Sequence, residues 1–189
     1  METVALASRV DHLSFMSIND IRPLIILTTG GTIEKIYDES EGTLQNRDTI
    51  IKNKILQKLR LPYTDIRVKS VMAKDSLYMD EADRVLICNE IEEHAKFGFP
   101  IVVLHGTDTM DITSSFCHDR SPHPTVPVVF TGAMKPMGFD DSDATQNVVE
   151  AIFAAHIVDP GYWVTFHGRL YAVPTFRKNR QKGTFEAVE

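Results

Sequence analysis

The chain has 189 residues, 43% hydrophobic and 24% charged, a size and balance that suit one soluble domain with a core built without covalent staples. No run approaches the roughly 18 apolar residues that a membrane-crossing helix needs, and a formal net charge of −6 argues against nucleic acid as the main partner. Cys88 and Cys117 have no metal-ligand spacing and each lies in a stretch of helical pattern, so both are expected to be reduced and buried, in a cytosolic protein without a secretory signal.

Residues 1–20 carry scattered apolar positions (Val4, Leu6, Val10, Leu13, Phe15) with no period and are read as an N-terminal arm ahead of a single α/β domain over 21–189. Leu24-Ile25-Ile26-Leu27, bounded by Pro23 and by Thr28-Thr29-Gly30-Gly31-Thr32, reads as a strand buried on both faces, the kind found in parallel sheets. Glu34 to Asp48 is polar, acidic and without period, a loop long enough to form a lid, with Tyr37 as its one aromatic. Asp48 is placed to cap a helix through Ile51, Ile55 and Leu59 that ends at Leu61-Pro62. A second strand follows at Ile66 to Met72, left by way of Lys74-Asp75-Ser76.

Asp80 begins a helix with Ala82, Val85, Leu86, Ile91 and Ala95, stopped by Gly98 and Pro100. Ile101 to Leu104 is an apolar strand that ends at His105-Gly106-Thr107-Asp108-Thr109, followed by a short helix from Asp111 to His118. Val126 to Phe130 makes a further strand, ending at Thr131-Gly132-Ala133-Met134-Lys135-Pro136. Asp140, Asp141, Ser142 and Asp143 offer caps for a helix (Val148, Val149, Ala151, Ile152, Ala155) apolar nearly all round, hence expected between two layers. Tyr162 to Phe166 is the last central strand, with a short hairpin expected around Leu170 to Val173. The cluster Arg177, Lys178, Arg180 and Lys182 has the composition of a solvated face. The β-loop-α alternation predicts a three-layer, Rossmann-like α/β fold: a parallel sheet with helices on both faces.

In such a sheet Thr32, Thr107, Asp108 and Ser76 all follow strands directly and can converge on one crevice. A convergence of hydroxyls suits acyl transfer, which also needs a base for the nucleophile and N–H donors for an oxyanion, the latter available near Gly31 and Gly106. The base is open at this level: a lysine beside Asp108, or a histidine, with His105 nearest in sequence but better read as a structural residue at a strand end. The acidic cluster at Asp140, Asp141 and Asp143 is better explained by capping than by a cation, and no phosphate-binding or serine-hydrolase motif is present.

Thr29-Gly30-Gly31-Thr32-Ile33, then His105-Gly106-Thr107-Asp108-Thr109-Met110, then Gly132-Ala133-Met134-Lys135-Pro136 resemble, in this order, the bacterial-type L-asparaginase/glutaminase family, from about Leu24 to the end of the sequence. The resemblance implies Thr32 as nucleophile and Thr107 with Asp108 in a triad with a downstream lysine, which Gly168-Arg169-Leu170 leading to Arg177-Lys178 identifies as Lys178. It implies that Asp75-Ser76 holds the substrate-carboxylate serine, Ser76, with Asp75, Gly31 and Gly106 also at the substrate, and Tyr37 as the lid tyrosine. Leu77 departs from the polar residue that many members use on the substrate ammonium. The implied reaction is hydrolysis of L-asparagine to L-aspartate and ammonia, without metal or cofactor; the alternatives are an amidase for another small amide, such as glutamine or a capped asparagine, and a non-catalytic Asx-binding module. Full-length relatives add a second domain that helps to cover the pocket, so the resemblance implies a short, single-domain member that works as a homo-oligomer.

Overall fold

The computed structural model describes residues 21–38, 43–46 and 56–188. The arm over 1–20 and the helix expected from Asp48 as far as Ile55 lie outside the described residues. β1 (Arg22–Thr28) is followed by one 3-10 turn, Thr32–Glu34, and by a hairpin of β2 (Lys35–Asp38) and β3 (Thr43–Asn46), with Lys35 opposite Asn46 and Asp38 opposite Thr43. The stretch expected to be a loop is thus largely strand. Its arms are four residues each, too short for an alternating pattern to stand out, and their mutual pairing satisfies backbone groups that a free loop leaves to water.

A 3-10 turn at Leu56–Lys58 leads to β4 (Thr64–Ser70), which starts two residues earlier than its pattern suggests. α1 (Glu81–Ala95) opens on a capping box in which Asp80 accepts from the Asp83 N–H and Asp83 accepts in return from the Asp80 N–H. β5 (Ile101–Leu104), α2 (Met110–Arg120), β6 (Pro127–Thr131), α3 (Ala144–Ala155) and β7 (Gly161–Phe166) follow in alternation. Two hairpin arms close the order: β8 (Arg169–Ala172) turns back on β7, and β9 (Phe176–Asn179) pairs with β10 (Thr184–Ala187).

The main sheet runs β4-β1-β5-β6-β7-β8, parallel except for β8 at one edge. The path through the sheet therefore reverses its direction of travel between β1 and β5, the switch point at which doubly wound sheets open a crevice beyond their strand ends. Alternation along each strand divides the core. Ile25, Leu27, Ile101, Val103, Val128 and Phe130 meet α1 and α2 on one face, while Leu24, Ile26, Val102, Leu104 and Val129 meet α3 on the other.

α3 is not enclosed between two layers. Ala144, Val148, Ala151, Ile152 and Ala155 face the sheet, whereas Val149 and Phe153 are exposed, so its nearly continuous apolar pattern overstates its burial. Asp143 does not cap this helix with its side chain. It instead accepts the N–H groups of Met134 and Lys135 at 3.0 Å each and meets His167 Nε2 at 2.9 Å, tying the loop after β6 to the turn after β7.

The β9–β10 hairpin forms no strand ladder with the main sheet and is held chiefly by packing. Phe185 stacks edge-on against Phe166 (4.9 Å between centroids) and Phe176 (5.4 Å), and the Tyr171 hydroxyl donates to the Phe185 carbonyl at 2.7 Å. Replacing Phe185 by Ala is expected to lower the unfolding free energy by about 3–5 kcal/mol in urea titrations, the usual cost of deleting a buried phenyl ring.

Candidate active site

β1 ends in two glycines at φ +93° and +85°, values that L side chains rarely adopt. A Cβ on Gly30 would lie 2.4 Å from the Lys74 nitrogen, and one on Gly31 would lie 2.4 Å from the Gly106 Cα. The turns after β1 and β5 therefore touch backbone to backbone, across the switch point. Thr32 and Thr107, the residues that follow the two touching glycines, are brought to the same crevice, Thr32 half-buried and Thr107 buried. The Gly30 N–H donates to Glu34 at 2.7 Å and the Thr29 hydroxyl to the Leu104 carbonyl at 3.0 Å, fixing the first turn from both sides.

Ser76 enters from the loop after β4. A Cβ on Gly106 would come within 2.4 Å of the Ser76 Oγ, and Thr109 donates its hydroxyl to the Ser76 carbonyl at 2.9 Å. The Ser76 hydroxyl itself is buried without a hydrogen-bond partner among the described residues, an unmet donor that faces the meeting point of the two turns. Asp75 shapes this loop by accepting the Leu77 N–H at 3.1 Å and Lys35 Nζ at 2.6 Å. Burial would raise the Asp75 pKa, but these two hydrogen bonds outweigh it and hold the carboxyl below its ordinary value.

Lys178 comes from β9, the hairpin bound through its aromatic underside. Its Nζ lies 2.7 Å from Thr107 Oγ1 and 3.0 Å from Asp108 Oδ1, with only 14% of the side chain exposed. A residue with the composition of solvated surface thus sits against the strand ends, because Phe185, its cross-strand partner, is anchored in the core. Arg180 shares Asp108 Oδ1 at 2.8 Å from the exposed rim, a contact that sequence reading does not find. Its only signal is membership of the basic cluster.

His105 is placed as a structural residue at the strand end. It is fully buried and points its Nδ1 at the Gly106 carbonyl, 2.8 Å away, and burial lowers its pKa to about 4, only partly offset by that hydrogen bond. Tyr37 belongs to β2, and its side chain lies outside the described part of the structure. Cys88 and Cys117 are both buried and face each other between α1 and α2, away from this crevice. No group of three or more His, Cys, Asp or Glu side chains suited to a metal ion occurs among the described residues, and no helix among them is long and apolar enough to cross a membrane. A cavity of about 550 Å³ between Ile91, Lys96, His123 and Tyr162 opens at the amino ends of the strands, on the side opposite the convergent hydroxyls.

The site is thus that of a doubly wound α/β protein with two threonine hydroxyls, a lysine and a carboxylate at its switch point. The profile described as "Asparaginase, N-terminal" matches residues 23–189, and the protein belongs to the asparaginase family. It is 31% identical over 150 residues to an L-asparaginase of Thermococcus kodakarensis, covering 78% of this sequence and 44% of that protein. It is 32% identical over 138 residues to the D subunit of the glutamyl-tRNA(Gln) amidotransferase of Thermoplasma volcanium, covering 71% of this sequence and 33% of that one. Among solved structures, the thermostable L-asparaginase of T. kodakarensis superposes with a TM-score of 0.77 at 29% identity, over 87% of this sequence and 51% of its own. L-asparaginase I of Vibrio cholerae superposes with a TM-score of 0.72 at 25% identity, over 88% and 51%. The chain spans between a third and about half of the length of these relatives.

The histidine gives a stability prediction with a defined sign. Below pH 6.5 the unfolded state binds a proton at His105 that the folded state refuses until about pH 4, so the folded state loses stability as pH falls through that window. The loss is on the order of 3 kcal/mol. Urea unfolding between pH 7 and pH 4 should show it, and the His105 imidazole proton resonances should not titrate above pH 5.

Proposed function

We propose that this protein hydrolyses the side-chain amide of asparagine to aspartate and ammonia, with a threonine hydroxyl as nucleophile. The carrying observation is the placement of Lys178 Nζ against Thr107 Oγ1 and Asp108 Oδ1 at the switch point of an asparaginase-family domain. In its free-amine form Lys178 takes the proton of Thr107 as Thr107 takes that of Thr32, and Asp108 holds the ammonium that results. The Thr32 oxygen bonds to the carboxamide carbon, and N–H groups of the Gly31-Thr32 and Gly106-Thr107 turns are the donors offered to the oxyanion. Collapse breaks the carbon–nitrogen bond, the lysine proton leaves with ammonia, and water cleaves the threonyl ester by the reverse route.

The unpartnered Ser76 hydroxyl is assigned to the substrate carboxylate, in a loop shaped by Asp75, and Tyr37 to closure over the nucleophile. The scheme uses no metal or cofactor. A cytoplasmic homo-oligomer is the proposed working form, since the rim at Leu77, Tyr78 and Arg180 is left exposed and a second copy is the available cover. The likeness to an amidotransferase component favours one second reading, in which the amide is that of glutamine or the ammonia passes to another protein.

Thr32→Ala and Thr107→Val should each reduce ammonia release from L-asparagine by about a thousandfold or more, with the thermal unfolding midpoint little changed. Rates near wild type in either variant would remove that threonine from the chemistry. Release from L-glutamine at an equal or higher rate would favour the second reading, and aspartate binding without any release would indicate a binding module.

A further inference from the structure

The glycine that lets the turns touch leaves the peptide after it poorly held. Ser76 fills the space that a Cβ on Gly106 would take, and a glycine constrains the backbone around it less than any other residue does. The Gly106-Thr107 peptide leads directly into the threonine whose hydroxyl meets Lys178. Its carbonyl is nevertheless pinned: His105 Nδ1 lies 2.8 Å from the Gly106 oxygen, in the interior and out of reach of water.

A carbonyl only accepts, so this bond requires the proton on Nδ1, and burial keeps the ring neutral above about pH 4. The other ring nitrogen, Nε2, is buried without a partner among the described residues and carries no proton in that tautomer. The ring stands on the α1 and α2 side of the sheet, its centroid 6.4 Å from that of Phe130. Among the described residues the one cis peptide is Val173-Pro174, so Gly106-Thr107 is trans and its N–H points opposite to its C=O. The Thr107 N–H is therefore aimed away from the ring, towards the side on which Ile33, the neighbour of Thr32, is buried with Leu24 and Leu104. It meets no acceptor among the described residues.

We infer that His105 is a positioning residue: by holding the Gly106 carbonyl it aims the Thr107 N–H at the carboxamide oxygen, where negative charge develops as Thr32 attacks. The inference rests on the proposed amide hydrolysis for its reaction, and on the hydrogen bond and the trans peptide for its geometry. His105 itself touches no substrate atom and moves no proton. A donor fixed beforehand needs no reorientation as charge develops, whereas a peptide free to turn at a glycine has to be oriented in each turnover. Packing removes the side chain at position 106, and the side chain at position 105 restores the definition that is lost.

The test compares two variants of the whole chain. His105→Leu removes the donor, while His105→Asn keeps an N–H at the same remove along the side chain as Nδ1. Ammonia release from L-asparagine should fall in kcat by about tenfold to a hundredfold in the Leu variant with KM little changed, the pattern of a weakened oxyanion donor. The Asn variant should recover most of that kcat, a separation that a merely structural histidine would not produce. Titration of isotope-labelled protein with L-aspartate reads the geometry without turnover: the Thr107 amide resonance should shift in the wild type and the Asn variant, and not in the Leu variant. The imidazole nitrogen shifts of the wild type need no variant to fold and should place the proton on Nδ1; a proton on Nε2 would overturn the inference. Unchanged kcat in the Leu variant, or equal losses in folded Leu and Asn variants, would overturn it while leaving hydrolysis standing. No ammonia from any amide, with the expected Thr107 shifts, would sink the hydrolytic reading and leave His105 as the residue that aims this donor. No ammonia and no Thr107 shift in the wild type would overturn both.

Discussion

Gly31 and Gly106 touch through their backbones, and the candidate site depends on that contact. Neither position has room for a Cβ: at Gly31 the obstruction is the Gly106 Cα, and at Gly106 it is the Ser76 side chain. Three turns, after β1, β4 and β5, are thereby drawn to one point at the place where the sheet order reverses. Neighbouring strands in a sheet stand about 5 Å apart, and turns that carry a Cβ at their contact cannot close to backbone distance. Here the absence of side chains lets Thr32, Thr107 and Ser76 share one crevice.

The lysine arrives by a different physical route. β9 and β10 form a separate two-stranded ribbon, an element of marginal stability alone. The ribbon persists because Phe176 and Phe185 insert beside Phe166 and Tyr171, so hydrophobic burial on one side of β9 and β10 determines where an amine on the same ribbon is delivered. His167, held at φ +49°, joins this arrangement from the turn after β7, meeting Thr184 of β10 through Nδ1 at 3.0 Å and Asp143 through Nε2. Loop, turn and ribbon are linked by one polar network that reaches the loop after β6, one strand away from the turn after β5.

Membership of the asparaginase family is shared with proteins named as L-asparaginases and as amidotransferase subunits. Leu77, Tyr78 and Arg180 stand clear of the core, so they can change without altering the packing beneath them.

Local pattern is enough for the strands, since four apolar residues between a proline and a glycine pair, or Ile101 to Leu104 before a hydroxyl-rich turn, have few other ways to be buried. It is enough also for the strand-end positions of Thr32, Ser76, Thr107 and Asp108, because strand order in a doubly wound sheet places all carboxyl ends on one side. Helix α3 misleads because periodicity reports which residues can be buried, not whether a second layer exists to bury them. The Asp143 carboxylate misleads likewise, as a capping composition near a helix start does not say which N–H groups lie within reach. Lys178, read by composition alone, is surface charge, and only its motif points to the site. Its 2.7 Å approach to Thr107 spans 71 residues of sequence and was decided by tertiary structure, where burial of aromatic rings on the ribbon outweighs the tendency of a lysine to face water.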